Sequence, residues 1–139
     1  MEKSLVLIKP DAMERNLATT ILSRLEAAGL KLTALRMLHM DKALAERHYA
    51  IHREKPFYRD LVDYIISTPI VAAVFEGEDT VKRIRSLMGA TDPAKADEGT
   101  IRKDYGQDVQ RNSTHASDSP ENAEKEISLF FNEDEIYDY

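Results

Sequence analysis

The chain has 139 residues, 42% of them apolar and 32% charged, with a net charge of −6 and no cysteine. That length supports one core of useful size and is short for two, so residues 1 to 139 are expected to form a single globular domain. The acidic balance argues against broad phosphate-backbone binding, so no specific nucleic acid is expected, and the lack of cysteine excludes disulfides, thiolate metal sites and cysteine catalysis.

Leu5, Val6, Leu7 and Ile8 form an unbroken apolar run ending at Lys9 and Pro10, the pattern of a central strand buried on both faces. This run and Pro69 to Phe75 are the longest apolar stretches, and both fall far short of the roughly 20 residues of a membrane span. The first run is also too short for a signal-peptide core of about 7 to 15 residues, so a cytoplasmic location is expected. Next, Ala18, Ile21, Leu22, Leu25 and Ala28 recur at helical spacing, and Gly29 stops the helix. Leu30, Leu32 and Ala34 alternate with Lys31 and Thr33, which predicts a half-buried strand to about Met40.

Asp41 can cap a short helix through about Tyr49, and Pro56 precedes a second carrying Tyr58, Leu61, Val62 and Ile65. Ile70 to Phe75 reads as another buried strand closed by Gly77. Asp79 is placed to cap a helix whose inward residues are Val81, Ile84, Leu87 and Met88, with Lys82 and Arg85 outward. Gly89 to Gly106 is polar and reads as a long surface loop with at most a short helical turn, and such loops are uncommon unless functional. Val109 to Thr114 is predicted as a last short strand. A final helix follows, with Ser119 as N-cap, Pro120 at its first position, and Ala123, Ile127 and Phe130 inward. Without its inserts the order is βαββαβ, an α+β, ferredoxin-like split βαβ arrangement on an antiparallel four-stranded sheet. The acidic tail after Phe131 reads as loosely ordered or as packed on a neighbouring subunit.

Asn112, His115, Ser117, Asp118 and Ser119 place an imidazole in a small polar turn ahead of a helix N-terminus, a setting that favours anions. A neutral imidazole is a good nucleophile, although a histidine in such a turn reads equally as a surface residue. Glu126 borders the inward stripe of the last helix, where an unpaired carboxylate is costly. It can orient His115 by accepting from one ring nitrogen, or it can pair with Lys125 or simply be exposed at the edge of the stripe. Lys9, Arg85, Arg102 and Arg111 are candidate phosphate ligands, each of which alone also reads as a solvated charge. No Gly-x-x-x-x-Gly-Lys cradle is present, and Phe57 or Tyr58 offers an aromatic platform for a base.

Taken together, Ile8-Lys9-Pro10-Asp11-Ala12, His48-Tyr49, Lys55-Pro56-Phe57, Thr91-Asp92-Pro93-Ala94, Thr100-Ile101-Arg102 and Arg111-Asn112-x-x-His115-x-Ser117-Asp118-Ser119 resemble the nucleoside diphosphate kinases. The resemblance is colinear from Lys3 to about Phe131. It implies a phosphotransferase that moves the terminal phosphate of a nucleoside triphosphate to a nucleoside diphosphate by a ping-pong route through phosphorylated His115. It further implies Glu126 as the partner of His115, Ser117 as its support and Asp118 beside Mg²⁺. Lys9, Tyr49, Arg85, Thr91, Arg102 and Asn112 would surround the phosphates and sugar, with Phe57, Leu61 and Val109 around the base. The resemblance implies a homo-oligomer, either tetramer or hexamer. The alternative is a ferredoxin-like module that binds nucleotide without turnover. Three positions depart from the family pattern: Ala116 replaces the usual Gly after the histidine, and Ser113 and Thr114 replace apolar residues before it. The Ala116 methyl is compatible only with a negative φ.

Overall fold

The computed structural model describes residues 1–139. Strand β1 (Glu2–Ile8) is followed by helices α1 (Pro10–Glu14) and α2 (Ala18–Ala27), then by strand β2 (Lys31–Leu38) and helices α3 (Lys42–His48) and α4 (Tyr58–Ile65). Strand β3 (Ile70–Gly77), helices α5 (Thr80–Met88) and α6 (Ile101–Tyr105), strand β4 (Thr114–Ala116) and helix α7 (Pro120–Phe130) complete the regular elements. The four strands lie in the order β2-β3-β1-β4, and every neighbouring pair is antiparallel. This is the split βαβ sheet that the sequence predicts, and no helix is long and apolar enough to cross a membrane.

The apolar run of β1 is uninterrupted because helices cover both faces of the sheet. Alternate side chains of a strand point to opposite sides. Leu5 and Leu7 therefore join Val62, Ile65, Ile127 and Phe130 beneath α4 and α7. Val6 and Ile8 join Ile21, Leu25, Ile84 and Met88 beneath α2 and α5. A register shift between Leu32 and Ala34 interrupts the alternation expected for β2, so that Thr33 and Ala34 are both buried.

Two helix caps behave as their sequences predict. Asp41 accepts from Leu44 N at 2.8 Å, and Ser119 accepts from Asn122 N at 3.1 Å. Asp79 does not cap α5: its φ of 49° is left-handed and its side chain accepts no helix N–H. Glu2 takes that role from β1, accepting from Val81 N at 2.8 Å. The expected loop from Gly89 to Gly106 contains a 3₁₀ turn at Pro93–Lys95 and α6, with Asp92 and Thr100 as their respective caps. The last strand overlaps the expected Val109 to Thr114 only at Thr114 and includes His115 itself, because pairing with β1 begins only at Thr114. The acidic tail packs on its own chain, where Tyr137 N donates to Thr33 O at 2.9 Å and the Tyr139 hydroxyl donates to Leu32 O at 2.6 Å.

Gly89 ends α5 at φ +88°, and a Cβ there would meet Thr100 Oγ1 at 2.6 Å. Its carbonyl also accepts from Arg102 Nη1 at 3.0 Å, tying the helix end to α6. Gly89→Ala combines a left-handed backbone with a steric collision. It should destabilise the fold by about 2 kcal/mol, read in urea unfolding as a lower midpoint at unchanged slope. An unchanged midpoint would show that the turn relaxes without cost.

Candidate active site

His115 is the central residue of β4 and sits opposite Leu7 in the antiparallel ladder. Side chains paired across a ladder share a face, so the imidazole projects toward the side covered by α3 and α7. Ala116 pairs with Val6 and packs in the opposite core. Its φ is not positive, and its methyl is accommodated as an ordinary buried group.

His115 Nε2 lies 3.1 Å from both Glu126 Oε1 and Oε2. An ionised carboxylate only accepts, so Nε2 carries the hydrogen and Nδ1 of a neutral ring keeps its lone pair. The Ser117 hydroxyl donates to Glu126 Oε1 at 2.7 Å and accepts from Leu5 N at 3.2 Å, which anchors the carboxylate to β1. Burial disfavours the Glu126 charge, but the hydrogen bond and charge of His115 and the hydrogen bond from Ser117 outweigh it and hold its pKa at about 2. Of the two pairings open in the sequence, the structure has Glu126 on His115 and not on Lys125.

These groups open onto a cavity of about 780 Å³. Lys9 enters it from the end of β1, its Nζ donating to Gln110 O at 2.6 Å and to Asn112 Oδ1 at 2.9 Å. Burial is the main reason that its pKa falls to about 8. Arg102 enters from α6, donating through Nη1 to Gly89 O and through Nη2 to Thr114 O, each at 3.0 Å. Burial and then Arg85 lower its pKa to about 10. Asn112 Nδ2 donates to Thr91 O at 3.0 Å, so the loop after α5 is tied to the segment before β4.

Tyr49, Arg85 and Thr91 also line this cavity. Phe57, Leu61 and Val109 lie on its wall, and Phe57 and Val109 are 45% and 58% exposed, unusually open for apolar residues. Asp118 lines the rim, with one carboxylate oxygen accepting from Asn122 Nδ2 at 2.7 Å. Ser117 is fully buried behind the site and is absent from the wall. Arg111 is also absent, as it pairs with Asp108 at 3.5 Å and lies 5.6 Å over the Tyr64 ring.

Several wall residues were not singled out from sequence. His48 meets the His115 ring edge-on at 4.7 Å between centroids, and neither of its nitrogens has a partner. Burial, followed by the charge of His115, depresses its pKa to about 3. Its spacing from Ala45 on α3 marks an inward face, a signal that the motif His48-Tyr49 did not convey alone. His52 stands 5.7 Å from the Phe57 ring, and Gln110 reaches Asp60 O at 2.9 Å. Asp11 fixes the approach to β4 from behind, accepting from Ser113 N at 2.9 Å and from the Tyr64 hydroxyl at 2.8 Å.

A nucleophilic ring with one nitrogen anchored, facing two confined cations, is suited to phosphoryl transfer. Residues 2–136 match the family model described as nucleoside diphosphate kinase. The chain belongs to the nucleoside diphosphate kinase family. A nucleoside diphosphate kinase of Dehalococcoides mccartyi is 58% identical over 139 residues, covering 100% of this chain and 98% of the relative. One of Methanothermobacter thermautotrophicus is 57% identical, covering 100% and 93%. The solved nucleoside diphosphate kinase of Aquifex aeolicus superposes with a TM-score of 0.95 at 42% identity, covering 98% of this chain and 99% of that one. That of Halobacterium salinarum, in complex with CDP, gives 0.96 at 45% identity, covering 99% and 92%. The chain is accordingly an enzyme that transfers phosphate between nucleotides, and the reading as a binding module without turnover gives way to that activity.

The depressed pKa of Glu126 gives a signed test. A carboxyl held below its ordinary 4.5 contributes stability in full above that value and loses it as pH falls toward about 2. Between pH 6 and pH 3 the melting temperature of Glu126→Gln should therefore fall less steeply than that of the unmodified protein. Parallel curves would show that the pair with His115 adds no pH-dependent stability.

Proposed function

We propose that His115 is the phosphate-carrying residue and that the observation supporting it most directly is its Nε2 contact with Glu126 at 3.1 Å, which leaves Nδ1 as the free nucleophile. In the first half-reaction the Nδ1 lone pair forms a bond to the terminal phosphorus of a nucleoside triphosphate. The bond from that phosphorus to the bridging oxygen breaks, and a nucleoside diphosphate leaves. Glu126 accepts the Nε2 hydrogen bond throughout and stabilises the positive charge that the ring acquires. A second nucleoside diphosphate then takes the phosphoryl group by the reverse step, and His115 returns to its neutral form.

Lys9 and Arg102, assisted by Arg85, meet the phosphate charge, while Tyr49, Thr91 and Asn112 position the sugar and phosphates. Phe57 and Val109 close on the faces of the base with Leu61 beneath. Stacking of this kind accepts any base, which suits an enzyme with weak nucleotide preference. Asp118 fits a Mg²⁺ site, because that ion is commonly held by one carboxylate together with substrate phosphates and water, and one Asp118 oxygen is free of Asn122. When bound, Mg²⁺ offsets charge on the phosphates. We further propose that residues 1 to 139 act as one domain and that copies assemble as a tetramer or hexamer. Exposed Leu35 and Met37 on the edge strand β2 support such an assembly.

Incubation with γ-labelled ATP should leave an acid-labile, base-stable label that unlabelled GDP discharges, and His115→Asn should carry none. An unlabelled native protein would overturn the assignment. Lys9 supplies a second measurement. Its charged form is present below about pH 8 and is lost above it, so kcat/KM for the nucleotide should decline above that pH. Bound phosphate favours the charged amine, so kcat at saturation should hold to higher pH. Identical profiles for the two constants would remove Lys9 from the phosphate site.

A further inference from the structure

His48 is a buried polar group for which the phosphate transfer described above supplies no task. Its ring is buried with both nitrogens unpartnered, and it faces His115 across 4.7 Å. An imidazole kept neutral in such a place retains a lone pair that nothing on the protein uses. One ligand atom from each of His48, His115 and Glu126 lies within 4.8 Å of the others, and His115 Nε2 is already 3.1 Å from Glu126 Oε1. Tetrahedral zinc, with bonds of about 2.0–2.2 Å, needs its ligand atoms about 3.3 Å apart, so the longest edge has to shorten by at most about 1.5 Å. The side chains of His115 and Glu126 remain 25% and 18% exposed, which gives an ion a way in from the cavity and a fourth position for water.

We propose that His48, His115 and Glu126 form a binding site for a borderline divalent transition ion, Zn²⁺ above all, and that its occupation blocks phosphorylation of His115. Two imidazoles and a carboxylate match that class of ion, whereas Mg²⁺ prefers six oxygens and does not compete for the site. Inhibition follows from the chemistry of the ring. An ion on Nε2 shifts the single ring hydrogen to Nδ1, and the lone pair that would attack phosphorus is gone. An ion on Nδ1 occupies that lone pair directly. Attachment at Nε2 also removes the hydrogen that Glu126 accepts.

The binding claim is independent of the transfer mechanism, and only the blocking claim rests on His115 as nucleophile. Co²⁺ added to the nucleotide-free protein should give the intense visible absorption of a tetrahedral site at one ion per chain, and Zn²⁺ should displace it. His48→Gln and Glu126→Gln should each weaken Zn²⁺ binding by roughly tenfold or more, since the loss of even an outer-shell partner costs that much. Prior phosphorylation by ATP should abolish the Co²⁺ absorption, a check that needs no variant. With excess Mg²⁺, Zn²⁺ should stop labelling by γ-labelled ATP over the same concentrations at which it displaces Co²⁺. Co²⁺ that shows only a weak octahedral spectrum would overturn the site. So would Zn²⁺ inhibition that His48→Gln leaves unchanged and that tracks nucleotide concentration, because the ion would then be acting as a nucleotide counter-ion. A tetrahedral Co²⁺ spectrum in a protein that ATP fails to label would uphold the site and overturn the nucleophile.

Discussion

Antiparallel pairing of the three-residue strand β4 with β1 is the constraint on which the site depends. Ladder partners point to the same side, so setting His115 opposite Leu7 turns the imidazole toward α3 and α7, where His48 and Glu126 await it. A shift of one residue would send it into the opposite core and turn the Ala116 methyl toward the cavity. So short a strand cannot secure its own register. Asp11 does so from β1's far end by holding Ser113 N, and Lys9 N donates to Ser113 O at 2.9 Å. Ser117 repeats the device on the other side, exchanging bonds with the Leu5 backbone while it holds Glu126. His115, Glu126 and Lys9 are thus all referred to one strand, which is buried from Ser4 to Ile8.

The electrostatics of the cavity follow from what its cations lack. The chain carries a net charge of −6, yet Lys9 and Arg102 are held by neutral acceptors: a carbonyl and an amide oxygen for one, two carbonyls for the other. Neither is in an ion pair, and Asp11 and Asp108 act on Lys9 only through their field. Asp11, the carboxylate nearest in sequence to Lys9, is occupied by Ser113 N and the Tyr64 hydroxyl. Burial lowers both cationic pKa values, so the folded protein holds these charges at a cost that a bound anion would relieve. An arrangement of this kind favours anion binding without a glycine-rich loop.

The parts of this design that are legible in the sequence are those set locally or by periodicity. The run Leu5 to Ile8 announces a doubly covered strand, Ser119-Pro120 announces a helix start, and the stripe of α7 places Glu126 beside its inward face. The parts that are not legible depend on distant partners. Glu2 displaces Asp79 as the cap of α5 because β1 begins beside that helix, a fact that no window around Asp79 contains. Strand β4 begins at Thr114 because the preceding loop spends its backbone groups on Lys9 and Asp11. The tail is acidic and short of apolar residues, yet it packs through backbone bonds to β2 that composition does not register. His48 escaped for a related reason: helical spacing marks it as buried but says nothing of the ring that it meets.

The residues beside His115 lie in environments separate from its own. Ser113, Thr114 and Ala116 each answer to a different partner, and none of them touches the imidazole's hydrogen-bonding atoms. Ser113 adopts φ +75°, a strained value for a residue with a side chain, and the bond from its N–H to Asp11 helps to maintain it. Thr114 borders the cavity, but its hydroxyl donates to Met88 Sδ at 2.8 Å, so a polar group in an apolar core still finds an acceptor. Ala116 fills space beside Val6 where glycine would leave none of its methyl contacts. Alternation along β4 separates these environments from that of His115. A change of one flanking side chain is then absorbed in the core it faces, provided that the ladder, and with it the direction of the imidazole, is kept.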